Sequence, residues 1–143
     1  MIMIGIDPGS TTGVAYWDVK DQNFINIYSG SFVLCYNSIK QFVLFIEDDV
    51  FFRIEDARLR KWFGSNSNAK QQGAGSIKRD STIWQEVCLY HGWAYEMIHP
   101  VAGATKWDSR SFHKITRWGE RTNQNARDAA LLVYGWTKQT ARI

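Results

Sequence analysis

The sequence predicts an α/β fold: a mixed five-stranded sheet, three antiparallel strands and then parallel ones, with helices on both faces. Three observations carry this. Three short β-rich runs come first, separated by turn-forming residues. Two later β-rich runs alternate with segments of helical spacing. The last helical segment, NQNARDAALL, carries small alanines that let it approach a sheet closely.

Met1 to Asp7 is an apolar run that stops at Asp-Pro-Gly, and is expected as a central strand. Gly13 to Asp18 resumes after a tight turn as its hairpin partner, and Phe24 to Val33 alternates loosely as a third antiparallel strand. Ile39, Phe42, Val43 and Ile46 recur at helical spacing, so a helix is expected over Ser38 to Glu47, capped by Asn37 or Ser38. Val50 to Glu55, VFFRIE, is β-rich and again ends in a carboxylate. KWFGSNSNAKQQGAGS follows, and residues 57–76 are expected as a mobile loop. A helix then spans Ile77 to Tyr90 with Ile77, Ile83, Val87 and Leu89 or Tyr90 inward, and Ala94 to His99 forms a fifth strand stopped by Pro100. A short basic helix covers Ser109 to Trp118. A stronger one runs from Asn123, its N-cap, to about Lys138, with Ala126, Ala130, Leu131 and Tyr134 on one stripe.

At 143 residues and 45% apolar content the chain is expected to be a single domain, 1–143, around one core. No stretch is long and apolar enough to span a bilayer, and the first residues lack a secretory pattern. The expected location is therefore the cytoplasm, that of a host cell if the gene is viral. Cys35 and Cys88 lie far apart without metal-ligand spacing and read as reduced core thiols. A net charge of +3 does not by itself indicate nucleic acid. Its distribution says more. Arg58, Arg60, Lys61, Lys70, Lys78 and Arg79 fall in a stretch without any acid, and Lys106, Arg110, Lys114, Arg117 and Arg121 are opposed only by Asp108 and Glu120. Two such segments suit a phosphate-facing surface, the alternative being ordinary solvated surface.

Asp7 ends the first strand and Glu55 the fourth; as parallel neighbours their carboxylates would meet at one edge of the sheet. Asp128, early in the last helix, could join them. Such a cluster repels itself unless a cation sits within it, and its hard oxygens suit Mg²⁺ or Mn²⁺. Two ions about 4 Å apart clamp the attacking and leaving oxygens of a phosphodiester displacement. Each residue also has a plain role: Asp7 in the turn, Glu55 in a surface ion pair, Asp128 paired with Arg127 or Lys138.

IGIDPGSTTGVA, FRIED and NARDAALLVYG, in this order, resemble the RuvC-type Holliday-junction resolvases, the small phage-like branch, within the ribonuclease H-like superfamily. The resemblance covers nearly the whole chain. It implies a crossover junction endodeoxyribonuclease, a homodimer using two Mg²⁺ per site, for which Mn²⁺ would substitute. Asp7 would bridge both ions, Glu55 would bind the ion that activates water, and Asp128 would bind the other. Lys106, in ATKWD, loosely matches a lysine that contacts the scissile phosphate. The family's fourth ligand, Asp or His, is here Asn125, a neutral group that cannot act as a base; the chain as given is either tolerant of this, weak in metal, or disarmed.

The basic segment after Glu55 would grip DNA through Arg58, Arg60, Lys61, Lys70, Lys78 and Arg79. Trp62 and Phe63 would stack on unpaired bases or fold back onto the core. Trp84 is a candidate for the interface of a two-fold dimer. Three competitors stand beside a junction-resolving nuclease. An actin-like ATPase would need a second domain for which the chain has no room. A ribonuclease H-like nuclease acting on RNA–DNA hybrid, flaps or forks, and a non-catalytic junction binder, remain open.

Overall fold

The computed structural model of the protein describes residues 1–59, 68–100 and 107–139, with the side chains of 68–74 and 77 left aside. The chain runs β1 (Ile2–Asp7), β2 (Thr12–Asp18), β3 (Asn23–Gly30), α1 (Phe32–Phe45), β4 (Val50–Glu55), a 3-10 turn (Ala57–Leu59), α2 (Asn68–His91), β5 (Ala94–Ile98), α3 (Ser109–Thr116) and α4 (Gln124–Leu131). One five-stranded sheet forms in the order β3-β2-β1-β4-β5. β1 is antiparallel to β2 and parallel to β4, and β5 is parallel to β4. This is the mixed sheet the sequence predicts, with β1 at its centre.

β1 reads as a continuous apolar run because both of its faces are covered. On one face Ile2, Ile4 and Ile6 pack with Val14, Tyr16, Phe52 and Ile54 against Cys35 and Ile39 of α1 and Trp84 and Cys88 of α2. On the other, Met3, Ala15, Trp17 and Phe24 meet Phe112 of α3, Ala126, Ala129 and Ala130 of α4, and Val133. Each isoleucine buried in this way contributes roughly 1.5–3 kcal/mol.

Several boundaries differ from expectation. α1 starts at Phe32, not near Ser38, because Ser31 caps it: its Oγ accepts the Leu34 N–H at 3.3 Å. Phe32 and Val33 have strand propensity, but burial of Cys35 and Ile39 at helical spacing prevails. α2 begins at Asn68, so 68–76, expected as loop, is helix. Trp84 is fully buried against Phe32, at 4.9 Å between ring centroids, and is no interface residue; Leu89 and Tyr90 point outward instead. The inward stripe of α2 is Ser81, Trp84 and Cys88. α4 stops at Leu131, well short of Lys138. Gly135 turns the chain at φ +78°, and the Trp136 carbonyl accepts from Trp17 Nε1 at 3.0 Å and Gln22 Nε2 at 2.7 Å. Cys35 and Cys88 are free and buried as expected, and burial pushes their thiols up to about 11 and about 12. No helix among the described residues is long and apolar enough to cross a membrane.

Candidate active site at the carboxyl edge of the sheet

Asp7 and Glu55 end β1 and β4. The parallel register pairs Ile6 with Ile54, so Asp7 and Glu55 come next on strands about 4.8 Å apart. Alternation turns both away from the face of Ile6 and Ile54, toward the face covered by α4. The turn after Asp7 is closed by buried Thr12, whose Oγ1 donates to the Gly9 carbonyl at 3.2 Å.

Two glycines bring α4 onto this edge. A Cβ at Gly13 would stand 1.9 Å from the Asn125 carbonyl oxygen, and one at Gly5 would stand 2.2 Å from that of Ala129. Main chain therefore lies directly on main chain. Gly13 is also the register partner of Asp7, so α4 delivers Asn125 to the residue beside Asp7. Asn123 fixes the start of the helix: its Oδ1 accepts the Ala126 N–H at 2.9 Å and its Nδ2 donates to Ser29 Oγ at 2.6 Å. The expected N-cap is thus in place.

Asp128 is half-buried on α4, and its Oδ1 accepts from Gln124 Nε2 at 2.7 Å. Arg127, the partner considered for it, is buried and turned elsewhere. Its Nε donates to the Trp107 carbonyl at 3.1 Å, its Nη1 to Thr122 O and Oγ1 at 3.0 Å each, and its Nη2 to Gln124 Oε1 at 3.3 Å. Arg127 thereby pins the segment that follows Lys106.

The corner after Glu55 is tied to α2. Ser81 Oγ accepts the Ala57 N–H and donates to the Glu55 carbonyl, both at 3.3 Å. Asp56, only 2% exposed, takes Arg58 Nε and Nη2 at 2.8 Å each. Burial works to raise the Asp56 carboxyl, but the Arg58 hydrogen bonds and charge together outweigh it and hold the group below its ordinary value. Arg58 also reaches Gln85 Oε1 at 2.7 Å. Its side chain, expected on a phosphate-facing surface, is 32% exposed while it makes these contacts.

Of the other expected DNA contacts, Lys78 is half-buried and Arg79 exposed on α2. Lys70 lies on α2 with its side chain outside the description, and Arg60, Lys61, Trp62, Phe63 and Lys106 lie outside the described residues. Sequence reasoning missed Gly5, Gly13, Asp56, Ser81, Gln124 and Arg127. Two strand glycines opposite an alanine-rich helix were the available signal for the first pair, and the i, i+2 and i, i+4 spacings of Asp56–Arg58 and Gln124–Asp128 for two more; Ser81 and Arg127 act through contacts 20 or more residues away.

The donor set is chemically suited to a hard divalent ion: strand-end carboxylates, a helix carboxylate and an amide carbonyl. Among the described residues, however, no three His, Cys, Asp or Glu side chains gather closely enough to hold one ion. The Gln124 hydrogen bond competes for Asp128.

No protein-family model and no curated protein sequence matches the chain. Among solved structures it is similar to T. thermophilus RuvC in complex with Holliday junction substrate, with 12% identity and a TM-score of 0.59 over 92% of this chain and 90% of that one. Fowlpox virus resolvase in complex with substrate Holliday junction DNA also matches, with 10% identity and a TM-score of 0.43 over 92% and 97%, too distant to add weight. The protein has the RuvC-type, ribonuclease H-like fold.

Proposed function

We propose that the protein is a divalent-metal-dependent, structure-selective endonuclease that resolves Holliday junctions and related branched DNA by paired phosphodiester hydrolysis, as a homodimer. One observation carries this reading: Asp7 and Glu55 end neighbouring parallel strands on the face where Gly5 and Gly13 admit the main chain of α4, the helix that bears Asn125 and Asp128. The solved RuvC of the same fold is a complex with a Holliday junction substrate, which supports the substrate class.

Asp7, Glu55, Asn125 and Asp128 would hold Mg²⁺, two ions per site, with Mn²⁺ as a substitute. Bound there, the ions would supply the clamp on the attacking and leaving oxygens of an in-line displacement. The chain does the rest. Ser81 and the Asp56–Arg58 pair tie down the Glu55 corner, which would lower the ordering cost of bringing its carboxylate to Asp7. Asn125 contributes a carbonyl but accepts no proton. Lys106 follows the fifth strand and precedes Trp107, which Arg127 anchors; it would contact the scissile phosphate. Lys70, Lys78 and Arg79 on α2, with Arg60, Lys61, Trp62 and Phe63 before it, would meet backbone phosphates and unpaired bases.

A second reading has an observation in its favour. Asn125, a neutral group that accepts no proton, suits a junction-binding protein impaired in cutting. Cleavage of a labelled four-way junction, beside duplex and RNA–DNA hybrid, in Mg²⁺ and Mn²⁺ tests both. Paired symmetric nicks from the protein as given, abolished by Asp7→Asn with binding retained, are the expected result. Cutting only after Asn125→Asp would mark a disarmed enzyme; binding without cutting by either would establish the second reading. Preferential cutting of the hybrid would overturn the junction assignment.

A further inference from the structure

Arg127 is 8% exposed on α4, and among the described residues no carboxylate lies within ion-pair distance of it. Neutral acceptors alone satisfy its guanidinium: the Trp107 carbonyl, Thr122 O and Oγ1, and Gln124 Oε1. A buried cation without a counter-charge is destabilising unless its donors are used. Here the planar fork reaches three separate parts of the chain at once, which no shorter or neutral donor could do. Arg127 also fixes the direction of Gln124. A guanidinium only donates, so the Gln124 carbonyl oxygen must face it. The amide nitrogen is then turned to Asp128, whose Oδ1 accepts it at 2.7 Å. Gln124 stands three residues before Arg127 and four before Asp128, the spacings at which helical side chains meet. A continuous chain of contacts thus runs from the Trp107 carbonyl through Arg127 and Gln124 to Asp128. Asp108, next after Trp107, caps α3 by accepting the Ser111 N–H at 2.7 Å, so the same anchor fixes where α3 begins.

We infer that Arg127 is a positioning residue: through Gln124 it holds the Asp128 carboxylate in a fixed relation to the segment that starts at Trp107, directly after Lys106. What this serves rests on the nuclease reading, in which Asp128 would hold metal and Lys106 would contact the scissile phosphate. Hydrogen bonds in a part-buried chain strengthen one another. A misplacement of about 1 Å between a metal ligand and a phosphate contact can cost about 100-fold in rate. Arg127 touches neither group itself and acts through the Gln124 amide on one side and the Trp107 carbonyl on the other. The fork carries the role, not the charge, so lysine does not replace it.

A double-mutant cycle reads the coupling without DNA or metal. Arg127→Lys, Asp128→Ala and the two together are compared by Tm, in the wild-type chain and again in the Gln124→Met protein. Lysine keeps the charge, so direct attraction between positions 127 and 128 cancels from the comparison. The expected result is that Arg127→Lys lowers Tm by at least about 2 °C less once Asp128 is alanine, and that this difference disappears with Gln124→Met. Should Arg127→Lys not fold, the Arg127 Nε–H resonance gives the same answer. It should shift on Asp128→Ala and stay in place when that change is made in the Gln124→Met protein. In junction cleavage, Arg127→Lys should lower kcat about 10–100-fold with KM little changed. Additive Tm changes, a coupling that survives Gln124→Met, a resonance that does not move, or wild-type kcat in a folded Arg127→Lys protein would overturn the assignment. A coupled network in a protein that never cuts would fail the nuclease reading alone.

Discussion

Replacing Gly13 with alanine tests whether the site depends on main-chain contact between α4 and the sheet. The new Cβ would stand 1.9 Å from the Asn125 carbonyl oxygen and 2.4 Å from its carbon, whereas ordinary contact begins at 3.4 Å. The start of α4 must therefore withdraw by about 1.5 Å, because a carbonyl within a helix cannot swing aside as a side chain does. Overpacking of this kind costs about 1–3 kcal/mol, and a shift this large belongs at the upper end. The less flexible unfolded chain offsets about 0.4–1 kcal/mol. The net loss is about 2 kcal/mol, a fall in Tm of roughly 6–8 °C. The site suffers more, since a 1 Å misplacement can cost about 100-fold in rate. Urea unfolding and junction cleavage at a temperature where the variant is folded measure the two effects separately. Gly75→Ala is the control: its Cβ meets nothing within 4 Å, and alanine in a helix gains about 1 kcal/mol. A Gly13→Ala protein with wild-type stability and wild-type cleavage would refute the close-contact account of the site.

Three further outcomes are expected. The Asp56 carboxyl titrates lower in the folded protein than its ordinary value of 3.8, so its stabilisation is fully present above that pH and is lost as pH falls through the folded value; Asp56→Asn should cost about 1–3 kcal/mol near neutrality, discounted for the part-exposed Arg58, and show a smaller Tm decline in acid than wild type. Gln124→Ala removes the hydrogen bond that competes for Asp128, so Mn²⁺ should raise the Tm of this variant more than that of wild type; an equal or smaller rise would show that Gln124 does not restrain the ligand. Cys35 and Cys88, buried with thiols pushed up to about 11 and about 12, should resist a thiol reagent at pH about 8 and react fully in denaturant, whereas rapid native labelling would place them nearer the surface than they lie here.

Much of the scaffold was legible in local chemistry. β4 has the ends its pattern predicts, and β1, β2 and β5 differ from theirs by one residue, because apolar β-rich runs between Pro, Gly and acidic residues leave few other states. The Asn123 cap was legible for the same reason: a cap acts over three residues. Pattern and structure part where local preference and burial disagree. Phe32 and Val33 look like strand yet form α1 because Ser31 and the core favour the helix. The Gly- and Ser-rich stretch 68–76 looks like loop yet starts α2. Trp84 looked like a surface anchor and is core.

The sequence by itself determined the sheet, its central strand, and the carboxylates at the ends of β1 and β4, since these follow from patterns a few residues long. Only the tertiary structure decided that Asn125 lies against the partner of Asp7, that Ser81 ties the Glu55 corner to α2, and that Arg127 anchors Trp107. The physical reason is range. Strand periodicity and capping act between neighbours, whereas a glycine that admits a helix, or an arginine that anchors a carbonyl 20 residues away, depends on which segments the packed core brings together.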